Sequence, residues 1–174
     1  GSGDPPAHTL SLVAGVALCE TVRPLCPAER MPVLKWPNDL LVGGAKLSGI
    51  LLESTSSAVV IGIGVNLKQA PDIADRATIA LTAFGPAPDR EIFARNLADN
   101  FAVSLARWRT YGLEPILRRW SDLATPEGTP LSVHEPGGTR IEGAFADLAE
   151  DGSLLLRLAD GTCRAIHAGD VMLA

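Results

Sequence analysis

The stretch that decides the fold runs from Pro32 to Asn66 and reads PVLKWPNDLLVGGAKLSGILLESTSSAVVIGIGVN. Short apolar runs rich in Val, Ile and Leu are separated here by Gly, Asn and Asp. That pattern predicts strands over residues 33–35, 40–42, 47–53 and 59–65. Gly43-Gly44 suits a tight hairpin turn between the second and third of these, because such turns need positive φ at their centre.

Upstream, residues 8–22 read as a helix. Leu10, Val13, Ala14, Ala17 and Leu18 form one stripe, while Leu12, Val16 and Cys19 occupy another face. A helix apolar on most sides is a buried one. Pro24 and Pro27 end it. Downstream, residues 71–88 are mixed, with a short helix expected around 77–83. Asp89 is an N-cap candidate for a long helix reaching about Tyr111. Its core face would carry Phe93, Leu97, Phe101, Leu105 and Trp108. Gly112 stops it, and Pro115 suits the first turn of another helix bearing Ile116, Leu117 and Trp120. After Glu127-Gly128 the pattern returns to short strands over 131–135, 139–147, 153–158 and 163–167. Pro136-Gly137-Gly138, Asp151-Gly152 and Asp160-Gly161 mark their turns. Evenly spaced hairpins suggest a small SH3-like barrel. The boundary lies near 125–129, which divides the chain into residues 1–126 and 127–174. Gly1-Ser2-Gly3 reads as an expression scar.

Composition narrows the function. With 47% apolar and 20% charged residues, the chain is not an intrinsically disordered one. A net charge of −5 gives no general footprint for nucleic acid, so no nucleic-acid partner is expected. Apolar runs such as 59–65 are far shorter than the roughly 20 residues that a membrane helix needs, so no membrane association is expected. Cys19, Cys26 and Cys163 show no CxxC spacing and read as reduced thiols, with a cytoplasmic location expected. His8, His134 and His167 are dispersed, without metal-ligand or Ser-His-Asp spacing.

Three stretches carry chemistry. Lys35-Trp36-Pro37-Asn38-Asp39 lies between two strands, where binding residues concentrate. The Asn38 amide and Asp39 carboxylate have the chemistry to hold a magnesium ion bearing phosphates. Equally, an Asn-Asp turn bonds its own backbone. Lys46, after Gly43-Gly44-Ala45, can meet a phosphate or carboxylate as a mobile point charge; the alternative is a solvated charge guarding a strand edge. In Gly62-Ile63-Gly64-Val65-Asn66, the strand face of Val60, Gly62, Gly64 and Asn66 is cleared by two glycines. The Asn66 amide at its end suits the paired donor–acceptor edge of adenine. Close strand packing with an Asn turn explains the same residues.

Taken together, in this order and spacing, Lys35-Trp36-Pro37-Asn38-Asp39, Lys46-Leu47-Ser48-Gly49-Ile50-Leu51-Leu52-Glu53 and Gly62-Ile63-Gly64-Val65-Asn66-Leu67 resemble the catalytic core of the biotin protein ligase family. The resemblance extends over nearly the whole chain. It implies an α+β fold of the class II synthetase and biotin ligase kind: a mixed sheet flanked by helices, then the small barrel. It implies a reaction in which biotin and ATP give biotinoyl-5′-AMP, whose acyl group passes to a lysine of a biotin carboxyl carrier protein, an acetyl-CoA carboxylase subunit. Lys46 would be catalytic and would contact the biotin carboxylate and the reacting phosphate. Gly49, Ile50 and Leu51 would line the biotin site. Trp36, Asn38, Asp39 and Asn66 would bind the nucleotide, with Asn38 and Asp39 organising Mg2+. Homodimers occur among such ligases, so a homodimer is an expectation by analogy. Family members also carry an arginine-glycine loop upstream of the position of the His8 helix. The chain is therefore expected to be an N-terminally incomplete catalytic domain that is inactive alone. A lipoate-protein ligase-like enzyme and a non-catalytic binding fragment are the competing readings.

Overall fold

The computed structural model describes residues 3–55, 58–74 and 76–173. Helix α1 (Leu10–Val22) forms the centre of the packing, with Leu12 through Cys19 all buried. One side of it meets a sheet; the other meets helices α2 (Arg90–Tyr111) and α3 (Glu114–Leu123). Gly15 makes this sandwich close. A Cβ there would come within 3.3 Å of both Leu34 Cδ2 and Trp120 Nε1, tighter than side chains normally pack. Cys19 is sealed inside, and burial pushes its thiol up to about 12.

Strands β1 (Pro32–Lys35), β2 (Asp39–Val42), β3 (Ala45–Ser54) and β4 (Val59–Val65) form the sheet in that order. All three pairings are antiparallel. The parallel component expected of a mixed sheet is confined, among the described residues, to isolated bridges Leu34↔Ala124 and Lys46↔Thr78. Gly43 and Gly44 turn the β2–β3 hairpin with φ of 59° and 81°, values that only glycine adopts without strain. Leu34, Leu40, Leu47 and Ile50 are buried in the core.

Sequence and structure agree closely along α2. The Asp89 carboxylate accepts from the Glu91 and Ile92 amides at 2.9 and 3.0 Å, filling two of the orphan donors of a helix start. Phe93 and Trp108 are buried, and Leu97, Phe101 and Leu105 pack partly buried against the core. The Trp108 indole donates to Thr9 Oγ1 at 2.9 Å, fastening α2 to the start of α1. In α3, Ile116 and Trp120 are buried.

Residues 77–83 depart from the expected helix. Lys46 N donates to Ala77 O and Ile79 N donates to Lys46 O, so residues 77–79 run extended beside β3. Only Leu81–Ala83 forms a 3₁₀ turn. Helix propensity is a weak preference, and here β3 supplies the backbone partners instead.

The C-terminal part is a five-stranded antiparallel sheet in the order β8-β7-β6-β5-β9. Its strands are β5 (Pro130–His134), β6 (Arg140–Leu148), β7 (Leu154–Arg157), β8 (Cys163–Ile166) and β9 (Asp170–Leu173). The first four match the expected strands to within two residues at each end. β9 was not expected; its signal was the apolar Val171-Met172-Leu173 run after Gly169. β8 and β9 are the edges, with no pairing between them among the described residues, so the unit expected as a small SH3-like barrel is an open five-stranded sheet here.

Candidate active site at the junction of the two sheets

α1 covers one face of the first sheet; chemistry collects on the other. Lys35 pairs with Asp39 across β1 and β2, and Asp39 pairs with Gly49 across β2 and β3. Gly49 in turn faces Gly64 on β4. Side chains directly opposite in a sheet share a face, so this row is continuous.

Lys46 joins the row through a β-bulge. Leu40 pairs with Ser48 but Leu41 pairs with Lys46, leaving Leu47 as the extra residue. In a regular strand, positions 46 and 49 would face opposite sides. The bulge re-aims Lys46 onto the face of Gly49. A Cβ at Gly49 would lie 3.2 Å from Lys46 Nζ and 3.6 Å from Asp39 Oδ1. Glycine at this position is what lets the lysine lie flat across β3.

The centre of the cluster is Asp39, only 3% exposed. Its Oδ1 is in contact with Lys46 Nζ. Oδ2 is 3.0 Å from Lys35 Nζ and 3.7 Å from Arg76 Nη1. Burial works to raise this carboxyl, but attraction to Lys35 and hydrogen bonds from Lys46 and Lys35 outweigh it. Asp39 is held below the usual carboxylate range. Burial draws the Lys35 ammonium below its usual value, an effect that Asp39 partly offsets. One buried carboxylate thus faces three cations, an arrangement with positive charge to spare for an anionic ligand. A cavity of about 190 Å³ opens here, lined by Lys35, Asp39, Lys46, Arg76, Val171 and Met172. Arg76, which also lies 3.5 Å from Asp170, was not singled out from the sequence. It belongs to no motif, and only the fold brings it to Asp39.

Asn66 acts on this cluster from the side. Its Nδ2 donates to Lys46 O at 3.3 Å and to Ile79 O at 3.0 Å. Leu81 N donates to Asn66 O at 3.0 Å. The amide nitrogen is therefore spent on clipping the 77–81 segment to the backbone of Lys46. A bidentate edge toward adenine is not free in this arrangement; the carbonyl oxygen is what Asn66 can offer.

The other expected residues divide. Leu51 is 60% exposed on the glycine-cleared face, whereas Ile50 is buried on the opposite one. Ile50 touches the site through its backbone: its N–H donates to Asn38 O at 2.9 Å, and its carbonyl accepts from Asn38 Nδ2 at 2.7 Å. Trp36 is turned away from Lys46. Its Nε1 donates to Gly152 O at 3.0 Å, and it lines a second cavity of about 370 Å³ with His8, Pro37, Asp151, Gly152 and His167. Both Asp39 oxygens contact ammonium groups, and the Asn38 amide nitrogen donates to Ile50 O, which leaves the Asn38 side-chain oxygen as the one that a magnesium ion would meet. Among the described residues there is no group of three or more His, Cys, Asp or Glu placed to hold a metal.

Comparisons with known proteins place the chain in a family. The Biotin/lipoate A/B protein ligase family matches residues 3–68, and the Biotin protein ligase C terminal domain matches residues 133–173. A biotin–[acetyl-CoA-carboxylase] ligase of Paracoccus denitrificans is 40% identical over 163 residues, covering 87% of this chain and 67% of the relative. The chain belongs to the biotin protein ligase family. A ligase of the same description from Mycobacterium tuberculosis is 36% identical over 167 residues, 94% of this chain and 61% of the relative. This biotin protein ligase chain thus spans about three fifths to two thirds of the length of these relatives. The biotin protein ligase of Aquifex aeolicus, solved in complex with biotin and ATP, superposes with a TM-score of 0.82 at 21% identity. It is covered over 72% of its length by 97% of this chain, which establishes the common fold.

Proposed function

We propose that this chain supplies the reaction centre of a ligase that activates biotin with ATP and transfers it to a carrier protein. The observation that carries the proposal is the Lys46–Asp39 pair, aimed by a bulge onto a glycine-cleared face at the junction of the two sheets. In the first step a biotin carboxylate oxygen bonds to the α-phosphorus of ATP, and the bond from that phosphorus to pyrophosphate breaks. Two anions must meet, and charge builds on the phosphoryl oxygens. Lys46 is partly exposed at the cavity, so its ammonium can leave one carboxylate, Asp39, for another. Placed between biotin and phosphate, it relieves their repulsion and stabilises the transition state. In the second step a carrier lysine attacks the acyl carbon and AMP leaves.

Gly49 gives Lys46 its room, and Leu51 offers an exposed apolar contact beside it for the biotin rings. Asn66 holds the lysine backbone and presents its carbonyl oxygen toward nucleotide. Magnesium enters as the counter-ion of ATP, and the Asn38 side-chain oxygen is the group beside Asp39 that is offered to it. Names of the relatives support acetyl-CoA carboxylase as the source of the carrier. The C-terminal unit begins at residue 127 and covers the cavity with β9. Three free cysteines suit a cytoplasmic location. The β4 edge has no further strand among the described residues, which suits a homodimer formed through the sheet.

The test is a hybrid in which this chain replaces its matched region of the Paracoccus denitrificans ligase. It should release pyrophosphate with biotin and not with lipoate, and should label a biotin carboxyl carrier domain. Lys46→Ala should lower the rate about 10²–10³-fold, and Lys46→Gln should not restore it. A hybrid that uses lipoate, or a Lys46→Ala variant with unchanged adenylate formation, would refute the reading.

A further inference from the structure

The chemistry assigned to Lys46 leaves Lys35 without a task, yet Lys35 is a buried cation, 6% exposed, on a strand of the reaction centre. An apolar side chain on β1 would avoid the cost of taking an ammonium out of water. What the ammonium touches gives the reason for its presence. Its Nζ lies 3.0 Å from Asp39 Oδ2 and donates to Val171 O at 2.5 Å. Val171 is 136 residues further along the chain, on β9. β9 is an edge strand of the C-terminal sheet, and edge carbonyls lack partners in the ladder. An ammonium has three donors on a flexible stem, enough to serve a carboxylate and a carbonyl together.

We propose that Lys35 is a positioning residue: it ties the last strand of the C-terminal sheet to the Asp39 carboxylate and so sets the geometry in which Lys46 works. Two consequences follow from the same ammonium. Val171 and Met172 line the Lys46 cavity, so anchoring Val171 O fixes one wall of that cavity. Lys35 also shares the charge of Asp39 with Lys46. With Lys35 on Oδ2, the hold of Oδ1 on Lys46 is weakened, and Lys46 is easier to release to substrate. Without Lys35, the carboxylate keeps Lys46 more tightly and the wall moves. Neither effect requires Lys35 to touch substrate.

The inference rests on the ligase reading for its kinetic half and is independent of it for its structural half. Lys35→Met and Lys35→Arg are compared in the hybrid for kinetics and in the 174-residue chain for hydrogen exchange. Lys35→Met should lower kcat for biotin-dependent pyrophosphate release about ten-fold or more, with KM for biotin changed less than about two-fold. It should also speed exchange of the β9 amides while those of α2, the internal reference, keep their rates. Lys35→Arg, which retains the charge, should recover most of both losses. An unchanged kcat in Lys35→Met, unchanged β9 exchange, or equal loss in both variants, as packing damage alone would give, overturns the proposal. Should the unsubstituted hybrid release no pyrophosphate, the ligase reading fails, and β9 exchange by itself then upholds or overturns the tether.

Discussion

The motif Lys35-Trp36-Pro37-Asn38-Asp39 feeds two cavities at the junction of the sheets, and they differ in kind. On one side lies Asp39, at 3% exposure, with Lys35, Lys46 and Arg76 around it. On the other lies Asp151, whose side chain is 52% exposed and sits 3.4 Å from His167 Nδ1. His8 Nε2 is 3.2 Å from the Asp151 carbonyl. Each region brings a carboxylate and basic groups to the boundary between the N-terminal and C-terminal parts. Water makes them unequal. Around Asp151 solvent screens the charges and competes for every hydrogen bond, so the contact contributes little. Around Asp39 no such screening operates, and each ion depends on its neighbours. A carboxylate near cations is informative only when burial is known.

The largest effect is expected from Asp39→Asn. It leaves Lys35 buried beside a neutral amide and should destabilise the chain by about 3 kcal/mol, as removal of one partner from a buried ion pair does. Denaturant titration measures it. The pH dependence carries the same signature. The folded carboxyl of Asp39 titrates below its unfolded value of 3.8. Its stabilisation is therefore fully present above pH 3.8 and lost as the pH falls through the lower folded value. Lys35 acts in the opposite direction: its folded value lies below 10.5, so its charge costs stability at neutral pH, and that cost is relieved as the pH rises toward 10.5. Asp39→Asn should flatten the acid limb of the stability profile; an acid limb of unchanged steepness would show that the cluster is not the charge centre described.

Asn66→Ala comes next. It removes two hydrogen bonds that clip residues 77–81 to Lys46, at a cost of about 1–2 kcal/mol. Because the clip holds the backbone of Lys46, the affinities for ATP and for biotin should both fall, that for ATP by more because the Asn66 carbonyl oxygen faces the nucleotide. A loss confined to ATP would instead support direct reading of adenine. Calorimetric titration of the hybrid with each ligand separates the two. The smallest effect is expected at the exposed junction: Asp151→Asn keeps an oxygen to accept from Ser153 N and Oγ and loses only the charge facing exposed His167, so the Tm should stay within scatter of the parent. A clear drop in Tm would erase the distinction between the two cavities.

Much of the architecture was legible because its causes are local. Gly43-Gly44 specifies a turn through its φ preference, Asp89 caps a helix with its own side chain, and the Val, Ile and Leu runs outline β3 and β4. The glycines that clear a strip on β4 were readable from period-two spacing, and the structure leaves Gly64 with nothing within 4 Å of a would-be Cβ. Where the reading went astray, a distant partner had overridden a local preference. Residues 77–79 had helical composition but lie along β3, whose backbone they satisfy. Other partners had no local signal at all: Trp36 turns under the β6–β7 connection to reach Gly152 O, and Ile50 buries its side chain in the core while its backbone meets Asn38.

Legible from the residues alone were the side chains that offer chemistry: a lysine after a glycine turn, a carboxylate beside an amide, and a strand face emptied by glycine. Those are properties of side-chain chemistry and of the two-residue period of a strand. Which of them work together was decided only in three dimensions. The bulge at Leu47 that swings Lys46 over Gly49 depends on the register of β2 against β3. The contact from Lys35 to Val171 depends on how two sheets dock across 136 residues of chain. Neither is encoded in any short segment, because pairing register and burial are set by partners far away in sequence, and it is burial that turns an ordinary carboxylate such as Asp39 into the hub of a site.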